Sequence, residues 1–228
     1  MTLVKKGTFA ERLRQSADDV WEAIFAHPFV QGIKDGTLPM ERFMYYMKQD
    51  YVYLIEYAKL FAIGAVKAND LTTMGWFASH LDGTLNREMD LHRQYCAEIG
   101  VSREELEKEQ AAPSNLAYTH YMLSAAQQGS IADVMACLLP CAWSYYEIGM
   151  RLKEAVGDLE GHPYRAWIEM YSSEGFDVMV EESLQFMNAF ADGKNEEELQ
   201  RLENHFIITS KFEFMFWDMS YYGHEWPV

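Results

Sequence analysis

The stretch Leu138-Leu139-Pro140-Cys141-Ala142-Trp143-Ser144-Tyr145-Tyr146-Glu147 reads as an apolar helix with a proline inside it. An interior proline has no N–H to donate and crowds the preceding turn, which kinks a helix at a cost of about 3 kcal/mol. The carbonyl released is that of Ala136, and the space opened lies beside Cys141. Tyr145 follows Cys141 at i+4, so thiol and phenol share a helix face. A small polarizable nucleophile at a local break, with aromatic neighbours, is what an enclosed thiol site requires. Taken alone, the stretch reads more simply as a core cysteine in a kinked helix, because free cysteine is among the most buried residue types.

Outward from this stretch, the chain reads as a succession of helices. Ser130-Ile131-Ala132-Asp133 caps the helix that holds Cys141, and Gly157 to Gly161 turns the chain after it. Pro163 opens a helix through Trp167 and Tyr171, and Gly175 separates it from one over about 176–190. Asn195-Glu196-Glu197-Glu198 caps a last helix that runs to about Tyr222 and carries Glu213; the tail from Gly223 has no pattern. Upstream, a helix spans 115–128 with Tyr118, Tyr121 and Met122, and Ser102-Arg103-Glu104-Glu105 starts a short charged helix. One long helix is expected over 71–99, with central Gly75 and Gly83, and another over 39–67. Near the N-terminus, Thr8-Phe9-Ala10-Glu11 begins a helix that His27-Pro28 stops, followed by a connector with Gly32 and Gly36. No segment alternates like a strand, so the expectation is all-α: one helical domain over 1–228 with about eight or nine helices.

Composition narrows the function. The formal net charge is −16, a field that repels phosphate backbones and anionic lipid, so nucleic acid and membrane are not expected partners. The N-terminal Met1 to Lys6 lacks the apolar run of a signal peptide, and the richest apolar run, 134–143, is too short to cross a bilayer. Three cysteines without a leader point to a reducing cytoplasm. Cys137 and Cys141 are one turn apart, about 5–6 Å between Cβ atoms, too far for an unstrained disulfide. With 13 Phe, 14 Tyr and 6 Trp, the chain has more aromatic surface than a core of this size needs, and buried tyrosines suggest a polar-lined pocket.

Three reactive residues sit on aromatic-rich helices: Asp50, Cys141 and Glu213. Asp50 interrupts the stripe Phe43, Tyr46, Met47, Tyr53, Leu54, Tyr57, Phe61, and Glu213 lies among Phe212, Phe214, Phe216 and Trp217. A carboxylate in such a run is costly to bury unless paired or bound, and burial lets a glutamate hold a proton near neutral pH. Each alone also reads as a satisfied structural carboxylate. The seven histidines form no Glu-x-x-His array of the di-iron kind, and a looser metal group with Glu56 and His92 has little pattern behind it.

The motifs Tyr46-x-x-Gln49-Asp50-Tyr51-x-Tyr53-Leu54, Pro140-Cys141-x-Trp143-x-Tyr145, Trp167-Ile168-x-x-Tyr171-Ser172-Ser173 and Phe212-Glu213-x-x-Phe216-Trp217-Asp218-Met219 together resemble the TenA family, thiaminase II, in its cysteine-bearing branch. The resemblance covers almost the whole chain. It implies an all-helical haem-oxygenase-like fold without haem and a homotetramer. The activity it implies belongs to thiamin salvage: hydrolysis of 4-amino-5-aminomethyl-2-methylpyrimidine to the hydroxymethyl compound and ammonia, or of thiamin to the same pyrimidine and its thiazole. By resemblance Cys141 is the nucleophile, Glu213 the acid/base, and Asp50 grips the pyrimidine's amino group and ring nitrogen. Tyr53 and Tyr145 match active-site tyrosines, and Tyr118, Tyr171 and Phe216 match pocket walls. The chemistry suits these residue types. A thiolate adds to an electron-poor ring carbon, a carboxylic acid protonates the leaving amine, and no metal or cofactor is required. Two other readings stay open on the residues alone: a metal-dependent oxygenase on a similar scaffold, and a non-catalytic pyrimidine-binding or regulatory protein.

Overall fold

Side-chain caps start most of the helices that the sequence predicts. Thr8 accepts the Glu11 N–H at 3.3 Å, while Glu11 reaches back to the Gly7 N–H at 2.7 Å. Ser102 and Glu105 form a reciprocal capping box, Asp70 accepts the Thr73 N–H at 2.8 Å, and Asn195 accepts that of Glu198 at 3.0 Å. The structure, a computed structural model, describes residues 3–227. The helices are α1 (Phe9–Ser16), α2 (Asp18–Phe25), α3 (Pro28–Lys34), α4 (Met40–Lys67), α5 (Leu71–Asp82), a π-helical turn (Gly83–Glu88), α6 (Met89–Glu98), α7 (Arg103–Lys108), α8 (Pro113–Gln128), α9 (Ile131–Val156), α10 (Arg165–Tyr171), α11 (Glu174–Ala191) and α12 (Glu196–Tyr222). Among the described residues there is no strand, and no helix is long and apolar enough to cross a membrane.

The helices outnumber the eight or nine expected because two long predictions divide and a predicted connector is itself helical. The first breaks at Ala17, where φ is −115° and ψ 10°. The connector after His27 is itself helical: Pro28 opens α3, and His27 Nδ1 accepts the Phe29 N–H at 3.1 Å. Gly32 lies inside α3 because Leu38 folds back onto it; a Cβ there would stand 3.0 Å from the Leu38 Cβ. The helix expected over 71–99 is interrupted by the π-turn. Gly175 does not separate helices either. Ser173 caps α11 by accepting the Phe176 N–H, and Gly175 falls in the first turn, where a glycine is tolerated. In α9 the helix continues through Pro140.

The chain groups into two compact units, each with its own aromatic core. The first combines residues 3–38 with 135–214, hence α1–α3, α10, α11 and most of α9 and α12. Its centre is Trp21, fully buried, edge-on to Trp143 at 5.2 Å and stacked on Phe206 at 5.9 Å, with its indole N–H on Ser210 at 2.9 Å. Arg14 covers the Trp21 ring at 4.3 Å and bonds Glu147 at 3.2 Å, tying α1 to α9. The Tyr164 hydroxyl donates to the Leu38 carbonyl. The second unit combines 39–134 with 215–227, hence α4–α8 and the flanking ends of α9 and α12. Here Tyr46 stacks on Trp217 at 5.5 Å and Phe43 meets Tyr95 edge-on at 5.7 Å. Gly64 lets α5 approach α4, since a side chain there would collide with the Phe77 ring. The tail, unpatterned in sequence, is pinned to this unit: Tyr45 Oη donates to the His224 carbonyl at 2.6 Å, and Trp226 Nε1 to that of Ala111 at 3.0 Å.

The π-turn ends on Glu88, a half-buried residue whose carboxyl bonds Thr84 and is pushed up to about 7 by burial. Between its ordinary value of 4.5 and about 7, the unfolded chain releases this proton and the folded chain keeps it. Stability from this group is therefore fully present below pH 4.5 and is lost as pH rises through about 7. Glu88→Gln removes the titration. Relative to that variant, the wild type should lose about 2–3 kcal/mol between about pH 4.5 and pH 7.5, measured by urea denaturation of both proteins. Parallel curves would show that Glu88 ionises as it does in water.

Candidate active site

The sequence-predicted residues fall into sets by unit. Cys141, Tyr145, Tyr171 and Glu213 belong to the first. Cys141 is half-buried on α9, and one turn later the Tyr145 ring lies 4.8 Å from that of Tyr171 and 5.9 Å from that of Trp167. Tyr171, the last residue of α10, also meets Phe176 edge-on at 5.2 Å. Gly149 makes this possible: a Cβ there would stand 2.7 Å from the Tyr171 carbonyl carbon, so only glycine lets α9 touch the end of α10. Glu213 on α12 is 2% exposed. A glutamate so enclosed can exchange a proton only with what reaches it inside the protein.

Asp50, Tyr53, Tyr118 and Phe216 belong to the second unit. The Tyr53 ring is the hub of the aromatic residues: Tyr118 lies 5.2 Å away, Tyr57 5.4 Å and Phe216 5.7 Å. Such rings, held by one another, can offer a flat, rigid face to a flat ligand. Asp50 is buried one turn before Tyr53 on α4, and its Oδ2 lies 3.6 Å from His92 Nδ1 on α6. The Cys96 thiol, one turn beyond His92, is pushed up to about 12 by burial, so it stays protonated and is no nucleophile at neutral pH.

Two buried side chains, Gln49 and His92, brace the part of α4 that carries Asp50. Gln49 is 1% exposed, and its side-chain amide is fully used. Nε2 donates to Glu109 at 3.0 Å and to the Gln110 carbonyl at 2.9 Å, while Oε1 accepts from the Ala112 N–H at 2.9 Å and from Asn115 Nδ2 at 3.0 Å. It thereby ties α4 to the 109–115 segment that starts α8. His92, read from sequence with Glu56 as a loose metal group, is placed otherwise: Glu56 bonds Lys59 at 2.6 Å, and His92 Nε2 donates to the Met47 carbonyl at 2.6 Å. The one available signal for His92 was that a carboxylate in an aromatic stripe needs a partner; its distance of 42 positions from Asp50 hid the pairing.

Comparison with known proteins gives this geometry its context. Residues 14–223 match the model of the TENA/THI-4/PQQC family. The chain is 48% identical over 219 residues to the aminopyrimidine aminohydrolase of Halalkalibacterium halodurans, covering 96% of this chain and 98% of that one. It is 41% identical over 219 residues to the aminopyrimidine aminohydrolase of Bacillus subtilis, covering 96% and 92%. Among solved structures, a TenA family transcription regulator from Silicibacter sp. TM1040 superposes with a TM-score of 0.87 at 31% identity, covering 94% and 96%. A domain with a haem-oxygenase-like fold from Shewanella denitrificans, at TM-score 0.75, 16% identity and coverage of 97% and 94%, shows that the helical fold is of that type.

Gln49→Leu leaves the Ala112 N–H buried without its acceptor and takes from the Asn115 amide one of its two. Each such loss costs about 1–3 kcal/mol, so the variant should unfold about 2–4 kcal/mol more easily in urea. An unchanged midpoint would show that water replaces the amide.

Proposed function

The chain belongs to the TENA/THI-4/PQQC family, and we propose that within it the protein is an aminopyrimidine aminohydrolase, a thiaminase II, serving thiamin salvage. It hydrolyses 4-amino-5-aminomethyl-2-methylpyrimidine to the hydroxymethylpyrimidine and ammonia, and thiamin to the same pyrimidine and the thiazole. The observation that carries this reading is the 48% identity, across 98% of its length, to a relative of that name.

In this reading Cys141 is the nucleophile. Its support is a half-buried thiol one turn from Tyr145, whose hydroxyl can steady a thiolate by a hydrogen bond. The sulfur adds to an electron-poor ring carbon, and the displaced electron pair expels the amine from the exocyclic carbon. Glu213, enclosed on α12, gives a proton to the departing nitrogen. Water then adds to the exocyclic carbon and returns a proton to Glu213. The ring electrons re-form and release the thiolate. The sum is substrate plus water to alcohol plus ammonia. Asp50 grips the amino group and ring nitrogen. Tyr53, Tyr118, Tyr145, Tyr171 and Phe216 hold the ring and keep water from the wrong face. The protein acts as a homotetramer in the cytoplasm.

Cys141→Ala should abolish ammonia release from the aminomethylpyrimidine and thiazole release from thiamin, with the helical circular dichroism unchanged. Glu213→Gln should lower kcat by about 10²–10⁴-fold. Full turnover in the alanine variant would end the covalent mechanism. Pyrimidine binding by folded wild type without either product would replace the enzyme by a binding or regulatory protein.

A further inference from the structure

His92 and Asp50 raise a question of where one proton sits. His92 Nε2 is 2.6 Å from the Met47 carbonyl oxygen. Two lone pairs do not approach so closely, so Nε2 carries the hydrogen. Burial pushes the His92 pKa down to about 4 despite the Met47 bond, with Arg93 acting in the same direction, so the ring is neutral. A neutral imidazole protonated on Nε2 has a bare lone pair on Nδ1. That lone pair faces Asp50 Oδ2 at 3.6 Å, and the two side chains are only 6% and 8% exposed. A carboxylate there would set acceptor against acceptor in a low-dielectric interior.

The other charged groups of this region have partners of their own. On α4, Lys48 pairs with Glu105 of α7 at 3.3 Å, and the Tyr51 hydroxyl accepts from Arg93 at 3.2 Å. On α6, Arg93 is also bonded to Asp90 at 2.7 Å, and the Cys96 thiol stays neutral. In the π-turn, Glu88 one turn before His92 bonds Thr84. From α8 the uncharged Asn115 donates to the Gln49 carbonyl at 2.8 Å.

We propose that His92 is a positioning residue for Asp50, holding its carboxyl in the proton-bearing form that matches the edge of a neutral aminopyrimidine. The inference rests on the assignment of Asp50 to that edge. The edge has one donor, the amino N–H, and one acceptor, the ring nitrogen. A carboxylate offers only acceptors; a carboxylic acid offers one of each. Once the pyrimidine is seated, the O–H bond of Asp50 breaks and an N–H bond forms on the ring nitrogen. The ring gains the positive charge that makes it a better target for the thiolate, Asp50 becomes the carboxylate, and the total charge is unchanged.

The test compares wild type with His92→Gln, which keeps an N–H for the Met47 carbonyl but presents no lone pair to Asp50. With the aminomethylpyrimidine, KM should rise about tenfold, the worth of one hydrogen bond, with kcat changed less. The alkaline limb of kcat/KM should move to lower pH by about one unit, because the active form of Asp50 is the protonated one. Substrate ionisation is common to both profiles and cancels. His92→Asn, whose carbonyl can stand near the Nδ1 position, should restore part of the loss. A folded glutamine variant with unchanged KM and pH profile would overturn the inference. So would ¹⁵N NMR of the free wild type showing a proton on Nδ1, a measurement that needs no variant. Wild type that neither binds nor turns over the pyrimidine defeats the assignment of Asp50, and this inference with it, whatever the tautomer.

Discussion

A carboxyl group enclosed by aromatic side chains is the constraint on which much of this structure depends. Asp50, Asp133 and Glu213 are all nearly inaccessible to water. Each must be paired, capped or kept protonated, because an isolated buried charge costs more than a domain of this size can offset. Asp133 illustrates the cheapest solution. It turns its carboxylate onto the Ser130 N–H and hydroxyl, both at 2.7 Å, and becomes the first-turn cap of α9. The solution dictates its neighbour: a Cβ on Gly129 would stand 2.6 Å from the Asp133 Cβ, so the residue before the cap is glycine. Asp50 lies in the middle of a helix and has no such recourse. Its environment is built from side chains far away in sequence.

That contrast explains what was legible in the sequence. Caps at Thr8, Asp70, Ser102 and Asn195 were readable because a cap is a bond between residues three apart. The helix breaks at Ala17 and at the π-turn were not. Neither carries a glycine–proline signal strong enough to stop a helix, and each answers to packing from elsewhere in the chain. Gly175 misled for the complementary reason: Ser173 sets the start of α11, and the glycine merely follows. Asp50, Cys141 and Glu213 were visible as residues that do not belong in an aromatic stripe. Their supports were not, since Gln49 reaches 60 or more positions to Glu109, Gln110, Ala112 and Asn115. Resemblance to a family could name the residues of a site; only coordinates could name what holds them.

The aromatic richness has a mechanical consequence. Rings that pack edge-to-face and offset, as Tyr53, Tyr57, Tyr118 and Phe216 do, are fixed by contacts on several sides. In the proposed site, a wall built this way would lose little conformational entropy when a flat heterocycle rests on it, leaving binding free energy for orienting the reacting atoms. The same holds for Tyr145 and Tyr171, whose contact depends on Gly149 bringing two backbones together. These tyrosines serve as core first, and that is why their stripes read as plain core in the sequence.

Low dielectric and proton economy then join. Desolvation, which makes a buried carboxyl expensive as an anion, favours its acid form; at Glu88 it pushes the pKa up to about 7. An acid form is a donor, and a donor beside an acceptor is what an amidine edge asks for. A solvated aspartate, ionised at neutral pH, would present two acceptors and would demand that the ring arrive already protonated. In the arrangement proposed above, enclosing the aspartate beside a neutral imidazole whose other nitrogen is pinned to a backbone carbonyl would remove that demand. In the proposed site, the burial of Asp50 would serve selectivity for an aminopyrimidine over a ring that lacks the amino group.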